Sequence, residues 1–187
     1  RVILRDARAA RPYVSRLYLV PPRRAGDQGP AAALQMLAAI LGGSEQTSVL
    51  ERALTYDQGL SVAAWAGYQG TALDHGTFSL GIVPVEGLGL DEAEAALDRT
   101  LAEFIATGVD PVQFERVRRQ VRAQEIFQLD DAGARARSIG AALSSGLTLE
   151  DATGWLAALQ AVTPDQVVAA ARSLDPRGPG APPACRG

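Results

Sequence analysis

The sequence predicts an α+β domain in which helices pack on one side of an antiparallel sheet. Three observations carry that prediction. A β-branched and aromatic run, YVSRLYLV, occupies 13–20. A hairpin pattern lies in mid-chain at 60–68 and 75–83, and its second arm alternates Phe78, Leu80 and Ile82 against Thr77, Ser79 and Gly81. Beyond about residue 90 the chain reads as successive amphipathic helices. Strands and helices in separate blocks give α+β architecture rather than alternating α/β. No internal repeat of fixed period is present.

The elements follow in order. RVILRD at 1–6 and the run at 13–20 both read as strand, and Pro21-Pro22 stops the second. A polar turn covers 23–29. Pro30 then opens an apolar helix over 31–41, which Gly42-Gly43 ends. Its apolar residues surround it almost completely, so burial deep in the core is expected. Ser44 is placed to cap a second helix running to about Tyr56 and ending near Gly59. The hairpin comes next, joined by 69–74 and closed by Pro84.

The later helices carry clear starts. Asp91-Glu92-Ala93-Glu94 begins one, with Leu97, Leu101, Phe104 and Ile105 on one face and a stop at Gly108. Asp110-Pro111 opens the next as N-cap and first residue, with Phe114, Val117 and Val121 as its buried stripe. A further helix is expected over 132–143, ending at Gly146. Thr148-Leu149-Glu150-Asp151 and Thr163-Pro164-Asp165-Gln166 are two more capping signatures. Residues 1–174 thus form one domain. The Pro/Gly-rich 175–187 is expected to be a disordered tail.

Composition bounds the chemistry. The chain has 187 residues, a net charge of −3 and 47% hydrophobic residues. A chain of this size buries roughly 70% of its unfolded surface, enough for a true core. All 18 basic residues are arginine, and Lys and Asn are missing altogether. A GC-rich gene accounts for this bias. Without Lys there is no Walker-A phosphate loop, Schiff base, pyridoxal-phosphate anchor or Ser–Lys dyad. The one Cys (Cys185) excludes an internal disulfide, a CxxC pair and an iron–sulfur cluster. One His and one Cys cannot supply an ordinary zinc site. No 18-residue apolar run exists, so no transmembrane helix is expected. The acidic pI of 5.2 argues against a nucleic-acid partner. The chain opens on strand-like residues without Met or a signal peptide, and it reads as a piece of a longer protein.

Several residues invite a functional reading. Asp74 precedes His75, but neighbours on a strand point to opposite faces and no GxSxG elbow supplies a nucleophile. His75 therefore reads as a surface residue at a strand entrance. Arg116, Arg118, Arg119 and Arg122 crowd one helix, where Glu115 can pair with Arg118 or Arg119. They read as a solvated face, with a docking surface as the functional alternative. Asp91, Glu92, Glu94, Asp130 and Asp131 lie at helix starts, where the macrodipole favours acids. They lack EF-hand spacing. Asp57-Gln58-Gly59 reads as a turn. Gly42-Gly43-Ser44 superficially suggests a phosphate loop but lacks the following Lys, so it reads as a helix stop.

Taken together, the segments resemble the pitrilysin/insulinase family of zinc metallopeptidases, also called inverzincins. AALQMLAAILGG (32–43), a short helix and Gly59-Leu60-Ser61-Val62 match one part of its pattern. TALDHGTFSL (71–80) resembles its hairpin, GVDPVQFERVRRQ (108–120) a helix start, and GLTLEDATGWLAALQAVTPDQVVAAARSL (146–174) its closing helices. The resemblance covers about 1–174 and rests on the order and spacing of these segments. It implies the second, C-terminal domain of a two-domain subunit, whose first domain holds zinc through H-x-x-E-H and a downstream Glu. The implied activity is peptide-bond hydrolysis, with this domain non-catalytic, closing a clamshell over a peptide substrate. The implied alternative is an inactive or assembly subunit of the same fold.

Further implications concern partners and residues. The expected partners are the upstream domain, a second homologous subunit and the peptide. The resemblance also implies a bacterial periplasmic setting. It places no metal ligand and no catalytic residue in these 187 residues. Some members bring an Arg and a Tyr, seven residues apart, to the substrate, and those positions here are Thr55 and Val62. Both lack the needed groups, which fits a subunit whose partner supplies the pair. The family's final strand after Leu-Asp-Pro is also missing, since RGPGAPPACRG (177–187) is not strand-like.

Overall fold

The structure is a computed structural model that describes residues 2–4, 6, 8, 11–43 and 47–174, apart from the side chains of 128–130. Three strands, β1 (Val14–Val20), β2 (Ser61–Gln69) and β3 (Gly76–Pro84), form one antiparallel sheet in the order β1-β3-β2. The strand last in sequence thus lies in the middle. Tyr18 stands opposite Phe78 and Phe78 opposite Tyr68, while Arg16, Leu80 and Ala66 form the next row. Phe78, Leu80 and Ile82 are fully buried, as their alternation predicts. The other face carries Leu17 and Leu19, which are both exposed. Helices therefore cover one side of the sheet, and the α+β expectation holds.

The first helix, α1 (Gly29–Gly42), is the hub of the core. Ala31, Ala32, Met36, Leu37, Ile40 and Leu41 are completely buried. They pack against β2 and against α3 (Pro111–Asp130), α5 (Leu149–Ala161) and α6 (Pro164–Ser173). Gly42 is more than a stop. A Cβ there would lie 2.0 Å from the backbone nitrogen of Ala66, so the end of α1 crosses β2 too closely for any side chain. The helix α2 (Leu90–Thr107) lies against β3, β1 and α6, and buries Leu97, Leu101 and Phe104. It is tied to β1 by Arg16, whose guanidinium bridges Glu94 and Asp98 one helical turn apart. α4 (Ala132–Ser144) is peripheral and touches only α3 and α5 closely, with Ala142 its one buried residue.

Four expectations need correction or bounding. Residues 2–4 are not in the sheet; they are well exposed, with no strand beside them among the described residues. The hairpin strands are shifted by one residue, to 61–69 and 76–84, and β2 carries an irregularity between Ser61 and Ala63. The second helix is not an ordinary α-helix. Glu51–Asp57 forms a π-helical turn in which Gln58 N donates to Ala53 O at 3.2 Å. It is tied to β2 and to the residue before it: the Glu51 carboxylate accepts from Ala64 N at 3.0 Å, and the backbone N of Leu60 donates to Leu54 O at 2.8 Å. These tertiary anchors widen the turn. The proposed Ser44 cap lies outside the described residues, as does the tail at 175–187.

Candidate functional site

The two positions singled out by resemblance lie near the start of β2. Thr55, in the π-helical turn, shares a 2.7 Å hydrogen bond with the Ser61 hydroxyl. Its hydroxyl is therefore engaged within the fold. Val62, at the irregularity of β2, is 46% exposed and carries only methyl groups. Neither position carries a cation or a phenol.

The other candidate residues separate in space. His75 is exposed in the loop just before β3, and Asp74 beside it is exposed as well. The arginines of α3 do not form one face. Arg118 pairs with Glu115 at 2.7 Å and lies over the Phe114 ring. Arg119 and Arg122 are exposed. Arg116 turns inward, donating to Thr47 O at 3.4 Å with its Nε buried and unpartnered, and it lines a cleft of about 480 Å³ between the π-helical turn, α2 and α3. Among the acids, Asp131 caps α4 by accepting from Gly133 N and Ala134 N, and Glu94 joins the Arg16 bridge. Among the described residues no three His, Cys, Asp or Glu side chains converge to hold a metal. With His75 solitary on a loop and Thr55 and Val62 apolar or engaged, the donor set here does not fit a zinc ion.

A different constellation is assembled by the fold. Arg23, in the turn before α1, lies with its guanidinium 4.0 Å from the centre of the Trp155 ring of α5. Its Nε donates to the Gln28 side chain at 2.8 Å and one terminal nitrogen to Asp151 O at 3.1 Å. Burial lowers its pKa, opposed by Glu125 and Asp151. Glu125 of α3 is half-buried, and desolvation raises its pKa against the influence of Arg23. Tyr68 of β2 donates its phenol to Pro21 O at 2.7 Å, and burial pushes its pKa up to about 12. Asp151 accepts from Thr148 N, the Thr148 hydroxyl and Gly26 N, so its pKa falls to about 2. Sequence reasoning found only the Thr148–Asp151 cap. Residues 23, 68, 125 and 155 belong to four distant segments, and no spacing links them.

The family model described as the peptidase M16 inactive domain matches residues 1–121. No curated protein matches the chain. Among solved structures, a protease from Helicobacter pylori superposes with a TM-score of 0.76 at 17% identity, covering 86% of this chain and 38% of that one. A candidate zinc protease from Bordetella pertussis superposes at 0.74 and 21% identity, covering 87% of each. The periplasmic protease PqqL from Escherichia coli superposes at 0.61 and 16% identity, over 86% of this chain and 17% of that one. At these identities the structural likenesses establish the fold. The chain spans well under half of the Helicobacter and Escherichia proteins. The family match spans α1, the hairpin and α2, which build much of the core, and reaches into α3: the chain belongs to the peptidase M16 inactive-domain family.

Proposed function

We propose that this domain is the non-catalytic C-terminal half of a zinc peptidase subunit. The observation that carries the reading is the inactive-domain match over a chain whose Thr55 hydroxyl is engaged and whose Val62 is apolar. The preceding domain holds zinc through H-x-x-E-H, and the two close as a clamshell over an extended peptide. This half contributes surface and volume, and hydrolysis by metal-activated water takes place on the other. A second homologous subunit supplies the Arg/Tyr pair that Thr55 and Val62 lack. The setting is the bacterial periplasm, consistent with the likeness to the periplasmic protease PqqL.

The 187-residue segment alone should contain no stoichiometric zinc and cleave no peptide. The full-length protein should carry one zinc and lose hydrolysis when the Glu within H-x-x-E-H is replaced. Elemental analysis finding one zinc per chain in the isolated segment after a chelator wash would refute the assignment. A second reading draws on the same two positions: an inactive or assembly subunit of the same fold, as the likeness to a chain of complex III2 from Candida albicans suggests. It predicts a full-length chain free of zinc that co-purifies with a separate H-x-x-E-H protein.

A further inference from the structure

The larger cleft, of about 600 Å³ between α1 and β2 on one side and α3 and α5 on the other, has its charge met from within the fold. Arg23 acts on the Glu125 carboxylate and stacks on Trp155, and all three line an adjoining cleft of about 210 Å³. The cleft of about 480 Å³ between the π-helical turn, α2 and the start of α3 is different. Two arginines and three acids line it among the described residues. Asp110 is engaged as the cap of α3, accepting from Val112 N at 3.1 Å and Gln113 N at 3.4 Å. Arg52 and Asp57 face each other at 3.9 Å. Arg116 and Glu103 are left over. Arg116 is half-buried, its Nε is enclosed without an acceptor, and one terminal nitrogen makes only a 3.4 Å contact with Thr47 O. No carboxylate among the described residues stands within ion-pair distance of it. A guanidinium in that position has lost part of its water and gained no counter-charge. Glu103, exposed on α2, likewise has no ion-pair partner among the described residues. The cleft thus presents an unmatched cation and an unmatched anion that do not reach each other. Val49, Ala53 and Phe104 add apolar surface to the same walls.

We propose that this cleft binds a small zwitterion with an apolar body, either a free aliphatic amino acid or a short apolar peptide with both termini free. Its carboxylate pairs with the terminal nitrogens of Arg116, its ammonium group pairs with Glu103, and its apolar part lies against Phe104 and Val49. A lone anion would meet three acids, and a lone cation would leave Arg116 unmatched. A ligand carrying both charges satisfies both walls, with charge-assisted hydrogen bonds at each end. The volume lies within the range of about 300–1,000 Å³ that small-molecule sites occupy. The inference goes beyond the peptidase reading and does not depend on it.

The test is calorimetric titration of the full-length protein with L-leucine and with leucyl-leucine, in the presence of a chelator so that no peptide is cleaved. Each is run beside its C-terminal amide, which lacks the carboxylate, and its N-acetyl form, which lacks the ammonium group. At least one parent compound should bind about tenfold or more tightly than either of its blocked forms. The tighter parent identifies the ligand as amino acid or peptide. Arg116→Gln should erase the advantage over the amide, and Glu103→Gln the advantage over the N-acetyl form. Glu103 is exposed, so its variant keeps the fold, and an unchanged thermal midpoint separates lost selectivity from lost structure. Blocked forms that bind as well as the parents overturn the proposal, as does no binding of either parent. So does selectivity that survives both substitutions, since the ligand would then sit elsewhere in the protein. Hydrolysis of a longer peptide without chelator, measured in parallel, tests the peptidase reading by itself.

Discussion

Asp151 accepts two hydrogen bonds from Thr148 and one from Gly26, so a single carboxylate closes the cap of α5 and fixes the turn before α1. The hydrogen bonds from Thr148, then Gly26, favour its charged form and hold its pKa at about 2. The sign follows directly. The folded pKa lies below the unfolded value of 3.8, so its contribution is complete above that value. It is lost as pH falls toward about 2. Urea midpoints of the wild type should therefore drop between pH 4 and 2 more steeply than those of Asp151→Asn, which has no proton to take up. Parallel curves would show that this carboxylate is not the titrating group. Glu125 behaves oppositely, because burial raises its pKa against the smaller opposing influence of Arg23. Its charge costs stability, and the cost grows as pH rises through its folded pKa. Both residues are ordinary acids in the sequence; only their surroundings divide them.

At the scale of elements, local signals and close approaches share the control. The alternation of β3, the stripe of α2 and the caps at Asp110, Thr148 and Thr163 are all written in neighbouring residues, and each forms as expected. The π-helical turn is not written that way. ERALTYD has good helix formers, and it widens because Glu51, Leu54 and Thr55 are fastened to β2 and to the turn before it. Gly42 was legible as a helix stop, yet its constraint comes from Ala66, twenty-four positions away. Gly42→Ala is expected to destabilise the domain by about 3 kcal/mol, since rigid backbone rather than a mobile side chain opposes the new methyl. Chemical denaturation checks this, and a loss below about 0.5 kcal/mol would mean that α1 can lift from β2 at little cost.

In the molecule as a whole, stability is distributed unevenly. α1 touches the sheet and three helices and is buried along most of its length, whereas α4 buries Ala142 alone. Amide hydrogen exchange should show α1 and β3 opening only with global unfolding and α4 exchanging through local opening, at least a hundredfold faster. Equal protection of α1 and α4 would contradict this layering. The same layering shapes the candidate site. The rigid hub, α1 with β2, forms one wall of the larger cleft, and α3 and α5 bring Glu125 and Trp155 to the other.

The sequence by itself determined the order of strands and helices, the buried faces of β3, α2 and α3, the α+β class and the family to which the chain belongs. These depend on periodicity, caps and excluded chemistries, all of which act over a few residues or over the whole composition. The single His and single Cys also pointed away from an ordinary zinc site in these residues. Tertiary structure alone decided that the strand last in sequence sits centrally, that Glu51–Asp57 widens and that Gly42 must stay bare. It alone gathered Arg23, Tyr68, Glu125 and Trp155 around neighbouring clefts. A carboxylate's charge state and a cleft's chemistry depend on which distant atoms exclude water from it, and that information exists only once the chain has packed.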